Sequence, residues 1–387
     1  MPSLDDVEAL READKWGMLE AYLRWPEALL SGARRAEELE MPREVRVRGG
    51  SIRYGQPSSV VIVGMGGSAA GGDLLVDLTW DRVPVPILVW RDYHLPAFVG
   101  PSTLVVAVSY SGNTEETLVA FSEALARRSM VVAITSGGML GQLCRRLKLP
   151  LVEVPSGFKP RMALPYLFAP LPILMEEFGL VRGLREQVQA AAALMEQMAT
   201  GLAPEVPVEQ NQAKKLALEL LGSVPVVYGH GFLRSVARRL KTQFNENSKV
   251  PSFFNQLPAM NHDEILGWEG EDEHTRRFSA LFLRDPGEEL ALRERVRITK
   301  ALLADKVAKI VELWAVGASR LEKMFSTLYV GEVASLYLAF ARDVDPYSTE
   351  SIDTVKRELA RLGLAEEARA RAERLSPSRT GEEAIRP

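Results

Sequence analysis

The chain has 387 residues, 47% of them hydrophobic and 25% charged, and carries a net charge of −4. That length suits two domains better than one, and an acidic balance leaves no basic field for nucleic acid or an anionic membrane. The single cysteine, Cys144, cannot form an internal disulfide, which points to a reducing cytoplasm.

Residues 1 to about 40 read as one or two amphipathic helices, with Leu4, Val7, Leu10, Trp16, Leu19, Leu23 and Leu29 at helical spacing. The acidic start is unlike a secretory signal, and no apolar run along the chain is expected to reach membrane length. A parallel α/β domain should follow, with strands at Ser59–Val63, Pro86–Trp90, Thr103–Ser109, Met130–Thr135 and Leu151–Val154. Two of its strand-loop-helix passes stand out. The first runs Val60-Val61-Ile62-Val63-Gly64-Met65-Gly66-Gly67-Ser68, and the second Val106-Ala107-Val108-Ser109-Tyr110-Ser111-Gly112-Asn113-Thr114. A buried parallel strand reads as an unbroken β-branched run, and the turn after it opens onto a helix N-terminus that favours an anion. Gly66 and Gly67 let the backbone approach closely, while Ser68, Ser109, Ser111 and Thr114 add hydroxyl donors. Neither loop holds a lysine, so they are not nucleotide P-loops, and a small phosphomonoester is the expected ligand. The bland alternative is a pair of well-capped tight turns. A dinucleotide site would want an acid after the next strand; Asp92 stands there, but hydroxyls spread over two adjacent turns suit a phosphate better.

An Ala-rich helix from Leu184 to about Ala199 and a Pro-punctuated stretch read as a linker. A second α/β domain begins with Val224-Pro225-Val226-Val227-Tyr228-Gly229-His230-Gly231, and continues with strands at Ser279–Leu283 and Lys309–Leu313 and a long apolar helix from Met324 to Ala341. The expected boundaries are a helical segment over 1–40, a phosphate-binding domain over 41–183, a linker over 184–215, a second domain over 216–345, and a helical extension and tail over 346–387. The halves look like a diverged repeat. Val61–Gly66 parallels Val226–Gly231, and Ala107–Thr114 has a counterpart in Leu281–Glu288, where acidic residues replace the hydroxyls. The second half should therefore supply other chemistry.

Its candidates are Glu246, in Asn245-Glu246-Asn247, and His262, in Asn261-His262-Asp263-Glu264-Ile265. Glu246 is expected to end a helix, where the dipole is unfavourable to a carboxylate; that cost argues for a role, against the alternative of an exposed acid at a frayed end. A capping or solvent-exposed histidine is the bland reading of His262. Arg161, in a Pro/Gly loop, could meet an anionic ligand or an enediolate, with a surface charge as its alternative. Lys356 would ordinarily be a solvated helix lysine, Glu264 and Glu269 ordinary exposed acids, and Cys144 a buried small hydrophobe. With four histidines and one cysteine, no metal-ligand spacing appears, and no cofactor is expected.

Together, Gly64–Ala69, Ser109–Thr117, Pro160-Arg161-Met162-Ala163, Asn245-Glu246-Asn247, Asn261–Ile265 and the stretch from Asp345 to Lys356 closely resemble the bifunctional phosphoglucose/phosphomannose isomerases of the sugar-isomerase (SIS) domain superfamily. The matches run in order over residues 60 to 357. The resemblance implies two tandem SIS-type αβα sandwich domains with parallel sheets and helical extensions, in a homodimer whose active site is completed by the partner subunit's histidine. It implies reversible isomerisation of glucose 6-phosphate and mannose 6-phosphate with fructose 6-phosphate. On that chemistry Glu246 moves the proton through an enediolate, His262 opens the ring, Arg161 offsets the enediolate charge and Lys356 bonds a sugar hydroxyl or the ring oxygen. Thr349 is expected to leave room for either C2 epimer. The alternatives are a non-catalytic sugar-phosphate sensor, which needs no base, and the isomerase half of an amidotransferase, which would want a nucleophilic N-terminal cysteine.

Overall fold

The computed structural model describes residues 3–270 and 272–377, so the end of the charged tail, from Ser378 to Pro387, lies outside the described residues. The chain divides into two compact units: Ala28–Arg185 with the chain from Glu350 onward, and Glu186–Thr349 with the N-terminal stretch through Glu27.

In the first unit an antiparallel ribbon, β1 (Glu44–Val47) and β2 (Gly50–Arg53), precedes the main sheet. Each strand is four residues long, too short a pattern to stand out in sequence. Strands β3 (Ser59–Val63), β4 (Ile87–Trp90), β5 (Thr103–Val108), β6 (Met130–Thr135) and β7 (Leu151–Glu153) then form one sheet in the order β4-β3-β5-β6-β7. Every neighbouring pair is parallel. β3, β5 and β6 are buried along their whole length, which is why they read as continuous apolar runs. The chain leaves β3 toward one edge and later builds toward the other, so a switch of direction falls between β3 and β5. Ligands of such sheets bind outside the strand carboxyl ends at that point. Val61, Val105 and Val131 pack with Leu118, Phe121 and Leu140, and the C-terminal helix Leu364–Glu373 joins this core through Ala368 and Ala372. Cys144 is part of the same core; burial pushes its thiol up to about 12, so it is the packed hydrophobe expected.

The second unit carries β8 (Val224–His230), β9 (Phe253–Leu257), β10 (Phe278–Arg284) and β11 (Lys309–Trp314) in the order β11-β10-β8-β9, all parallel. This is the first sheet's order without its last strand. β8 stands where β3 stands and β10 where β5 stands, so the paired motifs of the two halves follow corresponding strands. β9 was not apparent in the sequence because it is an edge strand, mostly exposed or half-buried, and has no apolar run.

The N-terminal stretch forms three helices where one or two were expected, Val7–Ala13, Met18–Leu23 and Trp25–Glu37. Gly17, at φ +60°, breaks the first from the second. Trp16 falls in that break, exposed, and stacks on Tyr347 with ring centroids 4.4 Å apart. The expected long helix is Arg320–Ala341, opened by a Ser319/Glu322 capping box. Contrary to expectation, its 22 residues are long and apolar enough to cross a membrane by length and composition, but the stretch from Met324 to Ala341 is buried in this unit and carries Glu332 midway. A buried carboxylate with protein partners marks it as a core helix.

Candidate active site

The helix Gly66–Thr79 begins directly after β3, so Gly66, Gly67 and Ser68 form its first turn. Met65 is its N-cap and no side chain caps it. After β5, Ser109 Oγ lies 2.9 Å from Thr114 Oγ1 and accepts the Gly112 N–H at 3.1 Å. Thr114 is the N-cap of the helix Glu115–Ala126, yet its hydroxyl turns to Ser109 and caps nothing. Ser111 is exposed and accepts from the Asn113 N–H at 3.2 Å. Ser68 is buried, and its Oγ accepts the Tyr110 N–H at 3.2 Å, tying the two turns together. Gly112 holds φ at +69°, and a Cβ there would come within 1.9 Å of the Gly137 carbonyl oxygen. The turn therefore has one shape and requires glycine. Two helix N-termini without side-chain caps and a set of hydroxyls thus flank the switch between β3 and β5, which suits an oxyanion.

Arg161 belongs to this unit. A Cβ on Gly67 would lie 3.2 Å from the Pro160 carbonyl oxygen and 3.4 Å from the Arg161 Cα, so the Arg161 loop runs against the first turn. At 2% exposed, Arg161 is not a surface charge. Tyr110 pins the start of that loop: its hydroxyl donates to the Pro155 carbonyl at 3.0 Å and accepts the Phe158 N–H at 2.9 Å. This role left no signal in the sequence beyond an aromatic between two serines. Lys356 is exposed on the helix Glu350–Leu359.

In the other unit Glu246 is half-buried and ends the helix Arg234–Glu246, as expected. Gln243 and Arg239, one and two turns back on the same face of that helix, are buried. Arg239 Nε meets Glu332 Oε1 at 2.6 Å, and Gln243 donates to Glu332 and, at 2.7 Å, to the Tyr22 hydroxyl. Asn247 donates to Ser335 Oγ at 2.9 Å and to the Tyr22 hydroxyl at 3.3 Å. Burial pushes the Glu332 carboxyl up to about 7 against the pull of Arg239 and Gln243, and Glu246 adds to the push. Lys249 Nζ donates to the Glu246 carbonyl at 2.6 Å, a cation at the negative helix end.

His262 is exposed on the short helix Met260–Asp263. Its neighbour Asn261 anchors that helix, donating to Thr299 Oγ1 at 2.8 Å and accepting from Arg295 at 3.2 Å. Glu264 departs from the expected exposed acid: it is half-buried and accepts from Asn255 at 2.8 Å, from Trp268 Nε1 at 3.1 Å and from the Tyr228 hydroxyl. Three donors from β8, β9 and Trp268 make it an internal anchor. Glu269 is exposed, as expected, and Thr349 is half-buried just before the helix Glu350–Leu359.

Comparison with known proteins joins these features to one group. The bacterial phospho-glucose isomerase C-terminal SIS domain matches residues 209–359. A bifunctional phosphoglucose/phosphomannose isomerase from Caldicellulosiruptor bescii is 38% identical over 346 residues, covering 89% of this chain and 99% of its own length. One from Thermoplasma acidophilum is 33% identical over 327 residues, covering 84% and 97%. Among solved structures, a hypothetical protein from Thermus thermophilus aligns with a TM-score of 0.69 at 18% identity, covering 92% of this chain and 94% of that one. That last likeness concerns the fold alone.

Proposed function

We infer that this chain, which belongs to the bifunctional phosphoglucose/phosphomannose isomerase family, interconverts glucose 6-phosphate and mannose 6-phosphate with fructose 6-phosphate. The relative at 38% identity over nearly its whole length carries the assignment. The paired turns after β3 and β5 support it, because a substrate of this class needs an oxyanion site that holds its far end.

Moving a carbonyl between C1 and C2 requires ring opening, then transfer of a weakly acidic proton between neighbouring carbons. Glu246 is the base that takes and returns this proton; its half-buried place on a laterally anchored helix end supports the role. His262 of the partner subunit moves the proton between the ring oxygen and the anomeric hydroxyl, a role that its exposure in its own subunit leaves open. Arg161 offsets charge on the enediolate, and Lys356 bonds a sugar hydroxyl or the ring oxygen. Ser68, Ser109, Ser111 and Thr114 hold the phosphate, and Thr349 leaves room for both epimers. The protein works as a homodimer in the cytoplasm, the latter in keeping with its single, inert thiol.

The test is formation of fructose 6-phosphate from each aldose by wild type and by Glu246→Gln. Both substrates should turn over, and the variant should lose about 10³-fold in kcat. Saturable binding of sugar phosphate without turnover would replace the isomerase with a sensor. Thr349→Gln should lose mannose 6-phosphate turnover first; full retention would remove Thr349 from specificity.

A further inference from the structure

The last turn of a helix has no following turn to complete its hydrogen bonds, so a side chain placed there frays unless something holds it laterally. A base must nevertheless stay within about 0.5 Å of its productive position. Glu246 occupies such a last turn, and both of its flanks are tied to one atom. Gln243 and Asn247, four residues apart and so on one helix face, both donate to the Tyr22 hydroxyl, at 2.7 and 3.3 Å. Tyr22 is fully buried, and its ring stacks on Trp25 with centroids 5.1 Å apart, which stops it from turning away. The backbone just beyond is secured as well, since Ser248 Oγ donates to the Ser335 carbonyl at 2.7 Å.

We propose that Tyr22, from the N-terminal segment, is a positioning residue for Glu246, its hydroxyl clamping the helix end on either side of the carboxylate. The proposal rests on Glu246 being the base. Tyr22 touches no substrate; it acts through the placement of its neighbour.

Tyr22→Phe removes the oxygen and keeps the ring, its stack, the Gln243–Glu332 bond and the Asn247–Ser335 bond. In the full-length protein, kcat for glucose 6-phosphate should fall about tenfold while KM changes less than about twofold, because misplacement of a base costs rate and leaves ground-state binding alone. The melting temperature should move by no more than about 4 °C. An unchanged kcat overturns the proposal, and so does a loss shared equally between kcat and KM with a large fall in melting temperature. Should Tyr22→Phe not fold, Asn247→Ala is read by the same split. Glu246→Gln, assayed alongside, separates the two ideas. If that variant stays active, the base assignment itself fails; if it is inactive while Tyr22→Phe behaves as wild type, only the positioning role fails.

Discussion

The turn after β5 and the turn after β10 occupy the same place in two sheets of the same order, yet one is left open and the other is filled by the protein's own charges. Their companion turns share even the backbone: Gly66, after β3, has φ +51° and Gly231, after β8, has φ +50°. What differs is the side chains. After β5 they are hydroxyls that bond to one another and to the loop. After β10, Arg284 grips Glu288 and Glu312, Lys323 meets Asp285 at 2.8 Å, and Lys300 meets Glu312 at 2.8 Å. His230, at the end of β8, lies 3.3 Å from Glu288. Glu288, a carboxylate held by a guanidinium, thus stands in the stretch that corresponds to the hydroxyl turn of the other unit. A turn lined by hydroxyls keeps donors for an anion, whereas a turn that already holds paired carboxylates repels one and serves as a brace.

The sharpest way to break this comparison is Arg284→Leu. It leaves Glu288 and Glu312 without their guanidinium in a largely buried cluster, and should cost about 3–5 kcal/mol in chemical denaturation of the full chain. A loss below about 1 kcal/mol would mean that packing, not charge, holds the brace.

Ser111→Ala tests the open turn. Its hydroxyl is exposed and bonds the neighbouring Asn113 N–H, so stability should stay within about 0.5 kcal/mol. KM for glucose 6-phosphate should rise about tenfold, the value of one hydrogen bond to a charged group. An unchanged KM would remove Ser111 from the phosphate site.

The smallest effect is expected from His230→Asn. Burial holds the His230 pKa below its ordinary value, against the opposing pull of Glu288 and Asp285. The unfolded chain therefore binds this proton first. Above its value of about 6.5 the group makes no difference to stability, and as pH falls below that it destabilises the fold. The variant should show a shallower fall in melting temperature between about pH 7 and 5.5, and parallel slopes would show that His230 binds protons equally well in both states.

The sequence was informative wherever the cause was local. β3, β5, β6, β8 and β10 are buried on both faces and announce themselves as apolar runs, and three of the hydroxyls, Ser109, Ser111 and Thr114, fall within six residues. β9 and the β1–β2 ribbon were illegible because half-exposed short strands carry little periodicity. Arg161 could be placed in a loop but not judged buried, since its burial depends on the helix that starts at Gly66. Glu264 reads as a surface acid because two of its donors, Tyr228 and Asn255, come from strands that no local pattern gathers. Tyr22 was hidden for the same reason in a stronger form, with its partners 221 and 225 positions away.

That separation also orders events during synthesis. The Tyr329 hydroxyl donates to the Leu23 carbonyl across 306 positions, and Gln243 reaches back to Tyr22 across 221. The first helices leave the ribosome early, yet the first of these bonds cannot form until Tyr329 has been added. At about 5–20 residues per second, that is a wait of tens of seconds. The unit containing Glu246 is therefore completed only after most of the chain has been made, with its opening segment awaiting its partners throughout.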